Sequence, residues 1–313
     1  MSTTSKSPRR VAAAAYEVGR RSLPVYASRF SRKDFTQPQL FACLVLRRFH
    51  QTDYRGITAI LEDNPTLCDD LELCKVPHFT TLQKAERKLL DDRHTHAMLT
   101  QSVTLYFDLD DATDESPAQA QPIDQAAADS TGFELNHASR YFTRRKRKPR
   151  KNKGETSPQP VTYRPFAKLG IIACCATHMV LSMHRGAGPR PDVDELRPLI
   201  EHFVPNAVPD QLLADAGYDS EMNHELLRDE MEIDSLIPAT SGRPTSKLPA
   251  GGYRFQMQTN FDDEAYGQRW QAETVMFMFK RHQGEALAAR KPSTRHRELG
   301  LTVLTHNIMI VRA

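Results

Sequence analysis

The sequence predicts an α/β protein, a mixed sheet flanked by helices, preceded by a helical N-terminal region. Three observations predict it. Strand-like runs gather between residues 123 and 238 and alternate there with helical ones. Segments with helix-start residues and helical spacing occupy residues 1–107. An acidic stretch that turns rich in Ala, Pro and Gln, residues 108–121, lies between them and reads as a linker. That linker is expected to be solvated, with cation binding by its acids as the lesser alternative.

The chain has 313 residues, enough for one large domain or two ordinary ones. A net charge of +3 does not by itself point to nucleic acid. Its five cysteines, Cys43, Cys68, Cys74, Cys174 and Cys175, form no C-x-x-C pair, which argues against a disulfide scaffold and a zinc site. No run approaches the roughly 18 apolar residues of a membrane span. The N-terminus lacks a signal-peptide pattern, so a cytoplasmic, nucleoid-associated protein is expected.

Residues 1–10 are polar and basic and are expected to be disordered. Weak helical character follows from Val11 to Arg29, interrupted at Pro24. Thr36 then caps a helix with Pro38 near its first turn. Tyr54–Glu62 is a second, short helix, broken at Asn64-Pro65. A third, from Val76 to Leu90, has Thr80 or Thr81 as its expected cap and Leu82, Ala85, Leu89 and Leu90 at helical spacing. Arg47, Arg48, Lys84, Arg87 and Lys88 make this array basic. It reads either as a helix-turn-helix-like DNA-binding module or as a plain helical cap with a solvated basic face.

Ile123–Phe133 is the first expected strand and carries Asp129 in D-S-T-G, before a turn-forming Gly132; Asp124 is a competing acid. Eight of the ten residues from Arg144 to Lys153 are basic. This run sits in a loop expected over 140–160. It reads as a mobile tip between strands or as a clamp on phosphate backbone built from Arg144, Arg145, Lys146, Arg147, Lys148, Arg150 and Lys151. Phe166–Thr177 and Met179–Met183 are two further strands, expected to pair antiparallel with the first. A loop at 186–191 and a helix with an acidic first turn, Asp192–Phe203, follow. His178 and His184 are expected at the surface or behind a site, not as metal ligands. Gln211–Asp215 is a short strand ending in an acid, where ligands of α/β sheets usually bind. Asp219 is expected to cap a helix over Ser220–Met231. A strand at Ile233–Pro238, a loop at 241–252 and a closing helix at Thr294–Val311 complete the order.

One more stretch, Tyr266–Lys280, reads as a helix. Tyr266, Arg269, Glu273 and Lys280 fall at offsets 0, 3, 7 and 14. At about 100° per residue they share a stripe roughly 60° wide, which Trp270 and Phe277 flank. A carboxylate between Arg and Lys on such a face is either a structural ion pair or part of a phosphate- and metal-handling site.

The spacing Tyr266-x2-Arg269-x3-Glu273-x6-Lys280, together with the D-S-T-G and A-D-A-G-Y-D contexts of Asp129 and Asp215, resembles bacterial insertion-sequence DDE transposases with the Y-R-E-K signature. The resemblance covers residues 120–313 well and the first 120 only in general character. It implies an RNase H-like fold of order βββαβαβα for residues 122–313, and a DNA-binding helical region at 1–107. It implies catalytic, metal-holding acids Asp129, Asp215 and Glu273, with Asp129 bridging two Mg²⁺ ions (Mn²⁺ as substitute). It further implies DNA contacts from Tyr266, Arg269 and Lys280, double-stranded transposon-end and target DNA as partner, and at least a dimer on DNA. The expected activity is metal-dependent cleavage at transposon ends followed by strand transfer. The alternatives are an RNase H-like nuclease that does not join strands, and a non-catalytic DNA-binding protein derived from a transposase.

Overall fold

A computed structural model describes residues 4–111, 123–135, 144–146, 161–163, 166–204, 207–240, 249 and 251–311. The first helix, α1 (Pro8–Ser22), begins within the stretch expected to be disordered. Ser7 Oγ caps it by accepting from Arg10 N at 3.4 Å, and Ser5 N donates to Met309 O at 2.6 Å. In α2 (Gln37–Phe49), Thr36 is the cap that the sequence predicts, and Gln39 completes it by bonding back to the Thr36 backbone. The short helix expected next is α3 (Tyr54–Asp63). Pro65 breaks it but opens another, α4 (Pro65–Asp70), because proline fits a first turn. His78, not Thr80 or Thr81, is the cap of α5 (Phe79–Leu89). A long helix that the sequence reading missed, α6 (Asp92–Asp111), follows; it runs past residue 108, and residues 112–121 of the expected linker lie outside the described residues.

The sheet strands are β1 (Ile123–Leu135), β4 (Phe166–Cys174), β5 (Val180–Gly188), β6 (Pro209–Ala214) and β7 (Asp234–Leu236), with a two-residue β8 (Ala286–Leu287) beside the end of β1. Between β1 and β4, β2 (Arg144–Lys146) and β3 (Val161–Tyr163) form a separate antiparallel pair. Sheet order is β5-β4-β1-β6-β7. The first three of these strands are antiparallel as expected, whereas β6 runs parallel to β1 and β7 parallel to β6. This is the mixed α/β, RNase H-like fold that the resemblance implies. β5 extends through Gly188 into the expected loop. The helix expected at 192–203 is split into a 3₁₀ turn, Asp192–Asp194, and α7 (Leu196–Glu201). That over 220–231 is α8 (Glu221–Glu225) followed by a π-helical turn. Two further helices, α9 (Gly252–Thr259) and α10 (Asp263–Tyr266), lead to α11 (Trp270–Gln283), and α12 (Pro292–Ile310) closes the chain.

Gly132 lies inside β1, not in a turn. A Cβ there would stand 2.7 Å from the Phe166 ring, so the glycine admits that ring across the strand. The alanines that made β1 read weakly as a strand, Ala126, Ala127 and Ala128, are all fully buried. Helices cover both faces of this central strand, and small side chains let them approach.

Every residue of α12 from Glu298 to Ile310 is buried. A stretch buried all round, its polar side chains Glu298, Thr302, Thr305, His306 and Asn307 included, lies at the centre of a core. α12 packs against α1, α2, α6, β5 and α11, so one apolar core joins the N-terminal helices to the sheet. The basic residues of the N-terminal array divide accordingly. Arg47 pairs with buried Glu86 at 2.6 Å and lies 4.4 Å from the Tyr54 ring centroid. Arg48 is buried and pairs with Glu298 at 3.3 Å. These two are structural; Lys84, Arg87 and Lys88 are exposed.

Glu298 also accepts from Ala288 N at 3.1 Å and Ala289 N at 3.0 Å, fastening the chain after β8 to α12. Removing one partner of a buried ion pair leaves the other charge uncompensated. Glu298→Ala is expected to cost about 3–5 kcal/mol of stability, measured by urea unfolding.

Candidate active site

The site is built on the register of two parallel strands. Ala128 of β1 pairs with Ala214 of β6, so the residues that follow, Asp129 and Asp215, emerge side by side. β1 continues past this point, whereas β6 ends, and Asp215 turns out of the sheet. Its Oδ1 accepts from Gly217 N at 2.8 Å and caps a 3₁₀ turn, Ala216–Tyr218. A Cβ at Gly217 would stand 2.9 Å from that same Oδ1, so the tight turn favours glycine.

Alternation along β1 sorts its side chains. Ala127 shares a small apolar cluster with Leu213, Leu236, Met257 and Ala272, against which Tyr266 packs. Asp129 and Thr131 share the Ala127 face, the one that α11 covers. Lys280 Nζ of α11 donates to Thr131 Oγ1 at 2.8 Å. The helix expected from Tyr266 to Lys280 is interrupted at its start: Tyr266 ends α10, Arg269 lies in a 3₁₀ turn, and Glu273 lies in the first turn of α11. The stripe survives the interruption. Arg269 Nη2 donates to Glu273 Oε1, and its guanidinium carbon lies 5.9 Å from the Tyr266 ring centroid. Trp270 and Phe277, which flank the stripe, are exposed.

Electrostatics tie these groups together. Burial pushes the Asp129 carboxyl up to about 6; the Asp215 and Glu273 carboxylates add to the rise, while Ser130 N, 2.8 Å from Oδ1, and Arg269 oppose it. Burial raises the Tyr266 phenol as well, with Asp215 and Glu273 adding to it and Arg269 opposing. The competing acid, Asp124, is exposed and five residues back along β1.

Among the described residues no three carboxylate, imidazole or thiolate groups converge closely enough to hold an ion. Glu273 is turned to Arg269. In kind, however, the residues fit a hard divalent cation. The three acids offer only oxygen donors. Burial, and after it the Asp215 and Glu273 carboxylates, raise Asp129; a bound cation would favour its ionised form.

Two expectations need correction, Asp219 as a helix cap and Arg144, Arg145 and Lys146 in a loop. Asp219 is not a helix cap; Ser220 is, with Oγ accepting from Asn223 N at 3.1 Å. The Asp219 side chain is buried, accepting from Arg254 Nη2 and Thr240 N, each at 2.7 Å. Burial alone would raise its carboxyl, but the bonds from Arg254 and Thr240 hold it below the usual range. His178 Nε2 lies 2.7 Å from Gln271 Oε1, behind α11, and His184 lies 3.4 Å from buried Glu195. Of the basic run, Arg144, Arg145 and Lys146 lie in β2, while Arg147, Lys148, Arg150 and Lys151 lie outside the described residues. Sequence reasoning missed a second polar group on the opposite face of β1. Ser130 Oγ donates to Asp192 Oδ1 at 2.6 Å, and Lys168 Nζ pairs with the same oxygen at 2.7 Å. No spacing signal connects these three; Asp192 reads in sequence as an ordinary acid in a helical first turn.

A family model for the transposase DDE domain matches residues 120–308. No curated protein matches the chain significantly.

Asp129 has a native value of about 6 against 3.8 for the free group, so the folded state binds the extra proton between those values. Stability falls as pH rises through that window, and the penalty is fully present above it. Asp129→Asn removes the penalty. It is expected to stabilise the metal-free protein by about 1–3 kcal/mol at pH 8 and to leave it unchanged below pH 4, as read from urea midpoints.

Proposed function

The chain belongs to the transposase DDE-domain family, and on that footing we propose that it cuts DNA at the ends of a mobile element and joins the freed ends to target DNA. The observation that supports this reading is the Ala128–Ala214 register, after which both acids follow, together with the influence of Asp215, Arg269 and Glu273 on the Asp129 carboxyl. Asp129, Asp215 and Glu273 would hold two Mg²⁺ ions, with Mn²⁺ as a substitute. When bound, such ions supply an activated water oxygen and stabilise the leaving 3′ oxygen.

The chain's own groups do the rest. Glu273 must exchange Arg269 for the ion, which frees the guanidinium for a phosphate oxygen. Lys280, anchored at Thr131, places a second cation along the same face. Tyr266 orients the backbone beside them. Water opens the strand first, and the freed 3′-hydroxyl then attacks target DNA, with no covalent protein–DNA intermediate. The basic residues Arg144, Arg145, Lys146, Arg147, Lys148, Arg150 and Lys151 supply sequence-independent grip on phosphates. A nucleoid-associated protein acting as at least a dimer on DNA follows from two ends being handled together.

Wild type and the variants Asp129→Ala, Asp215→Ala and Glu273→Ala are to be compared on a labelled element-end duplex in Mg²⁺ or Mn²⁺. Metal-dependent nicking is expected in wild type and its loss in all three variants, with DNA binding retained. Cleavage that survives one substitution removes that acid from the site. Joined products separate a transposase from an RNase H-like nuclease, and binding without cleavage by wild type points to a DNA-binding protein alone. Replacing the seven basic residues by Gln is expected to flatten the dependence of affinity on salt, by up to about 0.9 in log–log slope per lost phosphate contact.

A further inference from the structure

The acid pair rests on a polar group that lies on the other face of β1. Ser130 follows Asp129, so its side chain points away from α11. Its backbone N–H donates to Asp129 Oδ1 at 2.8 Å, while its hydroxyl donates to Asp192 Oδ1 at 2.6 Å. Ser130 is therefore held at both ends between a carboxylate of the site and one outside it.

Asp192 is itself fixed. Lys168, opposite Gly132 on β4 and therefore on the Ser130 face, is buried, and its Nζ reaches Asp192 Oδ1 at 2.7 Å and Arg190 O at 2.8 Å. Glu195, also buried, lies 3.8 Å from the same ammonium. A lysine this enclosed keeps its charge only if it is paired and hydrogen-bonded, and Asp192 supplies the nearest partner. The second oxygen of Asp192 faces the turn that carries Asp215: a Cβ on Gly217 would stand 3.2 Å from Asp192 Oδ2 and 2.9 Å from Asp215 Oδ1. Tyr218, the next residue, is fully buried; its phenol is raised first by burial and then by Asp192 and Asp129.

We propose that Asp192, clamped by Lys168, is a positioning residue that orients Asp129 through Ser130 and backs the turn that presents Asp215. The proposal rests on Asp129 and Asp215 being metal-holding acids. Asp192 touches neither DNA nor the reacting atoms; its part is to remove the freedom of the strand segment and the turn from which the two acids project. Partners of this kind behind a metal site typically change affinity by about 10–100-fold.

The test measures Mn²⁺ affinity by calorimetry on the full chain, alongside thermal midpoints and binding to an element-end duplex. Ser130→Ala and Asp192→Ala are each expected to weaken Mn²⁺ binding about tenfold, with DNA binding unchanged. Ser130→Thr, which keeps a hydroxyl, is expected to restore it. The double variant Ser130→Ala/Asp192→Ala is expected to lose less than the sum of the two, because both cut one path. A merely structural role would lower the thermal midpoint and DNA binding without separating Ser130→Thr from Ser130→Ala. Full Mn²⁺ affinity in both alanine variants overturns the proposal while leaving the metal site standing. If wild type binds no Mn²⁺, the metal-site reading fails, and this proposal fails with it.

Discussion

One constraint organises the molecule: two like charges side by side at the end of a parallel strand pair. Parallel pairing of β1 with β6 matches Ala128 to Ala214, so the two acids that follow leave the sheet at the same level. Several nearby donors oppose that repulsion, although Glu273 adds to it. Ser130 N donates to Asp129, Gly217 N donates to Asp215, and the Arg269 guanidinium lies close enough to favour the ionised form of Asp129. Asp129 still sits at about 6, raised first by burial and then by the neighbouring carboxylates. An uncompensated carboxylate pair in a half-buried cleft is costly in a structural site and useful in one that takes up a cation.

The two faces of β1 divide the work. The α11 face carries groups whose charges can be exchanged for those of a ligand: Glu273 pairs with Arg269 across one helical turn, in a half-exposed setting where such pairs are weak. The opposite face carries Lys168 and Glu195, both buried, with a partly exposed Asp192 bound to the lysine, and loss of a partner is expensive there. Exchangeable pairs on one face thus stand across β1 from a buried lysine and its partners on the other.

The N-terminal helices answer to a different requirement. α12 is buried on every side from Glu298 to Ile310, so other parts of the chain must cover that stretch. α1, α2 and α6 do so, and Arg48 reaches across to Glu298 of α12. Arg47 and Arg48 are committed to carboxylates of the protein, whereas Lys84, Arg87 and Lys88 of α5 are exposed.

By itself the sequence determined the elements whose signals are local. The Thr36 cap and Asn64-Pro65 break set helix ends through bonds within a few residues. The apolar run of α12 marked a buried helix, and the offsets of Tyr266, Arg269, Glu273 and Lys280 marked one stripe. The acids Asp129 and Asp215 were legible through resemblance, since the alanines of β1 carry little strand preference of their own. Only the tertiary structure decided what lies far apart in the chain. Asp219 joined Arg254 and Thr240 because the segments after β6 and β7 meet there, which no cap rule anticipates. Arg48 became structural because Glu298, two hundred and fifty residues later, offered the partner its burial demands. Asp192 came under β1 because β4 and β5 fold back upon it, bringing Lys168 and Ser130 to one oxygen. Caps and helical stripes depend on neighbours a turn away, so sequence records them; pairing of buried charges depends on which strands lie side by side, and that is settled only when the sheet closes.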